Sequence, residues 1–475
     1  MRNTNIQSTA IIVAVICSLF AGFLAPAITA QTMPIKINTQ TKLGAVKPVN
    51  GIGSGPITCW GMTDTSCYWK QANFPYSRLC AVNWEHRREV DIPAIFKNFD
   101  ADADDPANYD FYWTDEYIDS VEAVGAKIIY TLGTTPESAK KKMHIHPPAD
   151  FNKWAKICVN IARHYNEGWA NGYHKNIQYW EVWNEPWEPT GWTGTKQQYF
   201  ELYAATARLF KKEMPNVKIG GFAASNVWDK KYIEDFMKYV QENNLPLDFF
   251  SYHCYTKSIR SIRDGAFYCR KQLDLHGFTK TELILDEWNY LPEGIFAMHD
   301  AKDDKAIRLR RDRRLEVYGI TAASFTAAGL IEMTNLPIDI ATYYDAQTTV
   351  WWSPFDRYGA VTKPFYPFVA FLQTTSIGER VLAECTAPGI YVLAAASGSE
   401  LRIMLSNYEG KTDTYPLEIT GLDPNARYKY TLHLLDEQHD FDKVEEQADL
   451  THAKLPRSIT LHVNSMAMIT ISMEK

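Results

Sequence analysis

Ile177-Gln178-Tyr179-Trp180-Glu181-Val182-Trp183-Asn184-Glu185-Pro186 is an apolar run that stops abruptly at an amide, a carboxylate and a proline. Its β-branched and aromatic residues read as a short buried strand, and Asn184-Glu185-Pro186 as the turn that ends it. A second segment of the same construction, Leu283-Ile284-Leu285-Asp286-Glu287-Trp288-Asn289, places Glu287 102 residues after Glu185. Each segment leaves a glutamate at the end of a strand with a tryptophan close by.

Working outward, short apolar segments alternate with longer helical patterns. The strand candidates are Val49–Gly53, Tyr76–Val82, Lys127–Leu132, Ile177–Trp183, Val217–Phe222, Asp248–Tyr252, Glu282–Asp286 and Asp339–Tyr344. Between them, Phe151–Tyr165 and Gln197–Lys212 space apolar residues three and four apart, as amphipathic helices do. A long helix is expected from about Lys305 to Glu332, and its run Arg308-Leu309-Arg310-Arg311-Asp312-Arg313-Arg314 reads as a solvated face. Repeated strand–helix units of this kind predict an α/β fold, a parallel (β/α)8 TIM barrel. Past Lys363-Pro364-Phe365-Tyr366-Pro367 the texture changes to short alternating segments: Ile390–Ala395, Leu401–Ser406, Thr414–Ile419, Tyr428–Leu435 and Ser458–Ile471. These predict an antiparallel β-sandwich of about a hundred residues, to which Ile35-Lys36-Ile37-Asn38 adds a possible extra strand. The expected organisation is a signal peptide over 1–30, the catalytic barrel over 31–370 and the β-sandwich over 371–475.

The first thirty residues carry one charge, Arg2, then an apolar stretch from Ala10 to Leu24 and the small-residue run Ala25-Pro26-Ala27-Ile28-Thr29-Ala30. That is the pattern of a cleavable export signal, and its apolar run is short for a span of ~20 residues. The reading is therefore an exported protein, periplasmic or extracellular, with no stable membrane insertion. Without Arg2, 48 of the 49 basic side chains remain against 56 acidic ones, a net charge of −8. No basic surface is offered to nucleic acid. Seven cysteines remain, an odd number with no zinc spacing; Cys59 and Cys67 are a candidate bridge, and most of the others read as buried thiols. The chain has 14 Trp, 27 Tyr and 22 Phe, enough to line a sugar-binding cleft as well as fill a core.

Reactive groups of a β/α barrel gather at the C-terminal ends of its strands. Glu185 ends the fourth candidate strand and Glu287 the seventh, so both project into one cleft. Two carboxyl groups so placed are the equipment for cleaving a glycosidic bond. The bland readings are a helix cap for Glu185 and a structural ion pair for Glu287.

At Trp183-Asn184-Glu185-Pro186, Ser251-Tyr252-His253-Cys254-Tyr255, Thr281-Glu282-Leu283-Ile284-Leu285-Asp286-Glu287-Trp288-Asn289 and Asp105-Pro106-Ala107-Asn108-Tyr109-Asp110-Phe111, the chain resembles glycoside hydrolase family 39. That family belongs to a clan of retaining glycosidases on (β/α)8 barrels, and the likeness runs over about residues 45 to 475. The resemblance implies Glu185 as acid/base and Glu287 as nucleophile. It also implies Arg78 and Tyr255 as donors to Glu287, and Asn184 as a partner of the sugar 2-hydroxyl. His253 would orient a carboxyl group on the same floor, or be a satisfied core histidine; Arg78 has a barrel salt bridge as its competing role. Trp192, Trp288, Trp351 and Trp352 are candidates for a sugar platform, with core packing as the alternative.

No cofactor or metal is expected. Asp100-Ala101-Asp102-Ala103-Asp104 opens like a calcium loop, but Asp105 stands where glycine is required and Phe111 where glutamate is. His144 and His146 have no third ligand nearby, and Gly51-Ile52-Gly53-Ser54-Gly55 leads into no phosphate-binding helix. The partner implied is an oligo- or polysaccharide, cleaved at a terminal, β-linked sugar, with β-xylosidase activity first among those the resemblance implies. α-L-Iduronidase, β-galactosidase and arabinosidase activities stay open, and an iduronidase would use cations such as Lys257, Arg260 or Arg263. The other readings are an endo-acting glycanase of a sister family and an inactive carbohydrate-binding barrel.

Overall fold

The computed structural model describes residues 33–58, 63–83, 88–292, 303–348 and 352–474. The expected export signal, Trp351 and Cys59 lie outside them. Eight parallel strands close into a barrel in chain order: β2 (Gly51–Gly53), β3 (Tyr76–Leu79), β4 (Lys127–Leu132), β5 (Tyr179–Val182), β6 (Lys218–Ala224), β7 (Phe249–Thr256), β8 (Glu282–Tyr290) and β9 (Ile340–Tyr343). The first pairs with the last, Gly51 against Thr342 and Ile52 against Tyr343. At the N-terminal end the barrel is plugged by Tyr76, Ile129, Tyr179, Phe249, Ile284 and Ile340. The reactive groups are thereby left to the opposite end.

The surrounding helices form for legible reasons. The helix Phe151–Glu167 starts where the Asp150 carboxylate accepts from the backbone N–H groups of Asn152 and Lys153, and stops at Gly168, whose φ of 75° suits glycine. Its Trp154, Ile157, Cys158, Ile161 and Tyr165 recur at helical spacing and are buried on the barrel. The helix Lys196–Glu213 begins with a reciprocal cap: the Gln198 backbone N–H donates to the Thr195 hydroxyl at 3.2 Å, and the Thr195 backbone N–H donates to Gln198 Oε1 at 2.9 Å.

The single helix expected over Lys305–Glu332 is two. Asp304–Tyr318 is charged and buries only Val317, whereas Ile320–Met333 is apolar on all sides and almost wholly buried. The extended backbone of Gly319 separates them. An all-round apolar helix needs cover on both sides, and the C-terminal sheet supplies the second. The Ser406 hydroxyl of that sheet donates to the Ser324 carbonyl at 2.8 Å.

That sheet has nine strands in the order β15-β14-β17-β12-β11-β10-β1-β13-β16. They are β1 (Ile35–Gly44), β10 (Glu379–Glu384), β11 (Ile390–Ala396), β12 (Glu400–Asn407), β13 (Asp413–Thr420), β14 (Arg427–Leu435), β15 (Asp440–Thr451), β16 (Ser458–Leu461) and β17 (Ser465–Met473). Ile35, Ile403, Leu417, Tyr430 and Ile469 meet in its core, separate from that of the barrel, in the antiparallel-rich C-terminal unit the sequence predicts. All its pairings are antiparallel except β1 with β13. Residues 35–44 sit in this sheet and not with the barrel that follows them in sequence. Among the described residues no helix is long and apolar enough to cross a membrane.

Candidate active site

The end of β5 is where the chain departs from ordinary backbone. Trp183 and Glu185 take φ of 70° and 48°, a region that costs a non-glycine residue ~1–3 kcal/mol. Three bonds hold the turn: Trp183 N–H to the Leu132 carbonyl at 2.8 Å, Glu185 N–H to the Ala223 carbonyl at 3.2 Å, and Trp183 Nε1–H to the Gly191 carbonyl at 2.9 Å. Asn184 and Glu185 consequently both reach the cleft. At β8 the device is a bulge. Tyr252 of β7 stands opposite Leu285, but His253 stands opposite Glu287, so Asp286 has no partner and the alternation of faces is broken there. Consecutive residues Asp286 and Glu287 thus both contact the groups on the barrel floor.

Arg78, buried at the end of β3, ties this floor together. Its Nε donates to Glu181 Oε2 at 2.8 Å, Nη1 to Glu287 Oε1 at 2.6 Å and Nη2 to Asn184 Oδ1 at 2.8 Å. Asp286 Oδ2 lies 3.0 Å from the same Nε. The Tyr255 hydroxyl donates to Glu287 Oε2. His253 directs Nδ1 to Glu185 Oε1 at 2.9 Å, with Glu287 Oε2 at 3.3 Å, and Nε2 towards Asp286 Oδ2 at 3.3 Å.

Electrostatics follow from this crowding. Burial works against a charged ring, but Glu287 and Asp286 outweigh it and hold His253 protonated well above the usual histidine range. Burial lifts the Glu287 carboxyl above its ordinary value, with His253 and Arg78 pulling against it. For Asp286, burial is overcome by Arg78 and His253, which hold it below the usual range. Burial pushes Asp345, bonded to Gln347, up to about 8. Ligand-type atoms of Glu185, His253 and Glu287 all lie within 4.8 Å of one another. With Nδ1 donating to Glu185 the protonated ring offers no lone pair to a metal ion, and the carboxyl pair is left facing the cleft.

Glu185, Glu287, Asn184, His253, Tyr255 and Trp352 line one cleft of ≈ 890 Å³, with Arg78 directly beneath. Two of the sequence candidates are elsewhere. Trp288 is fully buried, its ring edge-on to Tyr343 at 5.1 Å and filling the space that Gly329 leaves open. A Cβ on Gly329 would come within 2.8 Å of that ring. Trp192 is buried on Trp183 with centroids 4.9 Å apart, its Nε1–H donating to the Thr195 carbonyl. Both are core residues, drawn inward by their apolar area. Arg263 and Arg260 pair with Glu332 and Asp264 on the barrel's outside, and with Lys257 they are absent from the cleft lining. Among the described residues that lining contains no lysine or arginine.

Sequence reasoning missed Trp228, Glu188, Ser225 and Tyr344. Trp228 follows β6 and is 46% exposed at the cleft, where an apolar ring in water invites a flat ligand. The Ser225 hydroxyl donates to Glu188 Oε1 at 2.8 Å beside it. Tyr344 follows β9, the position after a barrel strand that could have flagged it.

Known proteins resemble this chain in sequence and in fold. Residues 52–270 match the model of glycosyl hydrolases family 39. A β-xylosidase of Geobacillus stearothermophilus is 31% identical over 192 residues, 38% of this chain and 36% of that protein. The chain therefore aligns with little more than a third of that relative's length. A β-xylosidase of Caldicellulosiruptor saccharolyticus is 25% identical over 360 residues, 67% of each. In fold, a glucosidase structure from Croceicoccus marinus superposes with a TM-score of 0.76 at 22% identity, covering 94% of this chain and all of that one.

Proposed function

We propose that the protein, whose residues 52–270 match the model of glycosyl hydrolases family 39, is an exported retaining glycosidase that removes a terminal β-linked sugar, β-xylosidase-like in specificity. The observation that carries the reading is the approach of the two carboxyl groups, whose oxygens lie within 4.8 Å of each other. A retaining enzyme places them ~5–5.5 Å apart, and an inverting one ~6.5–9.5 Å to admit a water between them.

In the first step the Glu287 carboxylate attacks the anomeric carbon while Glu185 gives its proton to the departing glycosidic oxygen. Arg78 and Tyr255 each donate to one oxygen of Glu287, aiming the other lone pairs and favouring the ionised nucleophile. His253 fixes the Glu185 carboxyl through Oε1. In the second step Glu185 takes a proton from water, which opens the glycosyl–Glu287 ester with a second inversion, so configuration is retained overall. A cleft lining without lysine or arginine among the described residues suits a neutral pyranose rather than a uronide, and ≈ 890 Å³ leaves room for part of the leaving saccharide.

Hydrolysis of aryl β-xyloside, β-galactoside, β-glucoside, α-L-arabinopyranoside and α-L-iduronide, with Glu287→Gln as the blank, tests this reading. Release from β-xyloside that the blank lacks is the expected result; folded wild-type protein inactive on every sugar would sink it. Export rests on Arg2, the Ala10–Leu24 stretch and the small residues after it. N-terminal sequencing of the secreted protein should find a start just after Ala27 or Ala30.

A further inference from the structure

Beneath the two glutamates assigned to chemistry lies a second carboxyl pair, outside the cleft lining. Glu181 of β5 and Asp286 of β8 have no exposed side-chain surface, and both lean on Arg78 Nε, at 2.8 and 3.0 Å. Their carboxyl groups are within hydrogen-bond reach of each other. Glu181 Oε1 and both Asp286 oxygens have no aligned hydrogen-bond partner among the described residues. Two ionised carboxylates there would repel across a dry interior, with Asp286 Oδ1 left without a donor. One proton between them converts the repulsion into an O–H···O bond. We propose that Glu181 and Asp286 share one buried proton, and that this pair, acting through Arg78 and His253, sets the charge of the catalytic constellation and the placing of Glu287. Both are positioning residues, and the second half of the proposal rests on the glycosidase reading above.

Counting charges leads to the same place. Four carboxyl groups, Glu181, Glu185, Asp286 and Glu287, surround two cations, Arg78 and His253. Two cations balance two carboxylates, so neutrality requires two protons on the remaining pair. A general acid needs one, on Glu185. The other falls to Glu181: burial lifts it, against Arg78 and with Asp286 adding to the rise, to about 7. Asp286 faces His253 as well as Arg78 and stays ionised.

Groups from four barrel strands face the pair. Arg78 comes from β3, and Thr131 of β4 donates to Glu181 Oε2 at 2.8 Å. Ser251 and His253 come from β7, and Glu287 from β8. Cys80 and Tyr199 face Glu181 and Tyr252 faces Asp286, and burial keeps all three neutral. Once the shared proton is lost, two carboxylates compete for Arg78 and draw its guanidinium away from Glu287. Loss of activity at high pH then involves two protons, that of Glu185 and that of the pair.

Infrared difference spectroscopy of the Glu185→Gln protein, which lacks the acid's own proton, tests the sharing without requiring turnover. A protonated-carboxyl C=O band should be present, and should vanish when Glu181→Gln is added and, independently, when Asp286→Asn is added. Asp345 and Asp91, raised acids away from the pair, contribute bands that neither substitution removes. A spectrum indifferent to both substitutions would overturn the shared proton. In the active enzyme, kcat/KM should fall about 100-fold per pH unit on the far alkaline side, and about 10-fold per unit in Glu181→Gln, as two ionisations and one require. A wild-type fall of only tenfold per unit would overturn the control of the catalytic charge. Presence of the Glu181-dependent band in a protein inactive on every sugar would count against the glycosidase reading and leave the shared proton standing.

Discussion

Removing one hydroxyl group, in Tyr255→Phe, probes the nucleophile most cleanly. The Tyr255 hydroxyl donates to Glu287 Oε2, while Oε1 takes Arg78 Nη1 at 2.6 Å and His253 Nδ1 stands 3.3 Å from Oε2. Burial already lifts the Glu287 carboxyl, and the donors are what oppose it. A hydrogen bond to an ionised group is worth ~1.5–3 kcal/mol, and one pKa unit corresponds to ~1.4 kcal/mol. A donor to the charged form lowers a carboxyl's pKa, so deleting it raises that of Glu287 by ~1–2 units. The acid limb of kcat/KM against pH, which reports ionisation of Glu287 in the free enzyme, should move to higher pH by ~1–2 units. At the wild-type midpoint the variant should be ~5–50-fold slower, whereas at pH values above the acid limbs of both proteins the deficit should shrink. The assay is steady-state hydrolysis of an aryl glycoside over a wide pH range, with circular dichroism to verify the fold. An acid limb that stays in place, or moves to lower pH, would refute the assignment of Glu287 as the group that must be ionised.

Three further outcomes are expected. Asp345 is a buried acid whose pKa is raised to about 8; the native state holds its proton longer than the unfolded chain, so it weakens the fold as pH rises from ~4 to ~8 by up to ~1.4 kcal/mol per unit. Asp345→Asn should flatten the stability curve over that window in denaturant titrations; an unchanged slope would contradict the burial argument. Trp228→Ala removes an exposed ring from the cleft and should raise KM for a disaccharide by ~5–30-fold, from ~1–2 kcal/mol of lost apolar contact, with stability unchanged. Gly329→Val would drive a methyl group into the Trp288 indole and should cost ~1–3 kcal/mol of stability. Wild-type stability in that variant would undo the placing of Trp288 in the core.

Much of this was legible in the chain because two different periodicities mark its two units. All eight barrel strands appear where apolar runs predict them, with ends displaced by a few residues, since a parallel strand buried on both faces is a continuous apolar run. The edge strand β15, Asp440–Thr451, escaped notice because its charged residues lie in solvent on the last strand of the sheet and show little alternation. Gly319 divided a predicted helix, and its effect became visible only when the flanking segments were buried to such different degrees. Glu185 and Glu287 could be read from their strand ends. The participation of Asp286 could not, because alternation sends neighbours to opposite faces and a bulge leaves no mark in composition. Tryptophans were the least legible: Trp192, Trp288 and Trp352 share one chemistry, but only Trp352 lines the cleft. Which aromatic ring meets solvent depends on helix packing, as Gly329 shows for Trp288.

The stereochemistry of hydrolysis tests the central claim most directly. Proton NMR during rapid turnover of an aryl β-xyloside, or of whichever aryl β-glycoside the enzyme accepts, identifies the anomer released before mutarotation. Carboxyl oxygens within 4.8 Å of each other leave no place for a water behind the sugar and predict the β anomer first. Release of the α anomer first would mean direct displacement by water, and would contradict Glu287 as nucleophile.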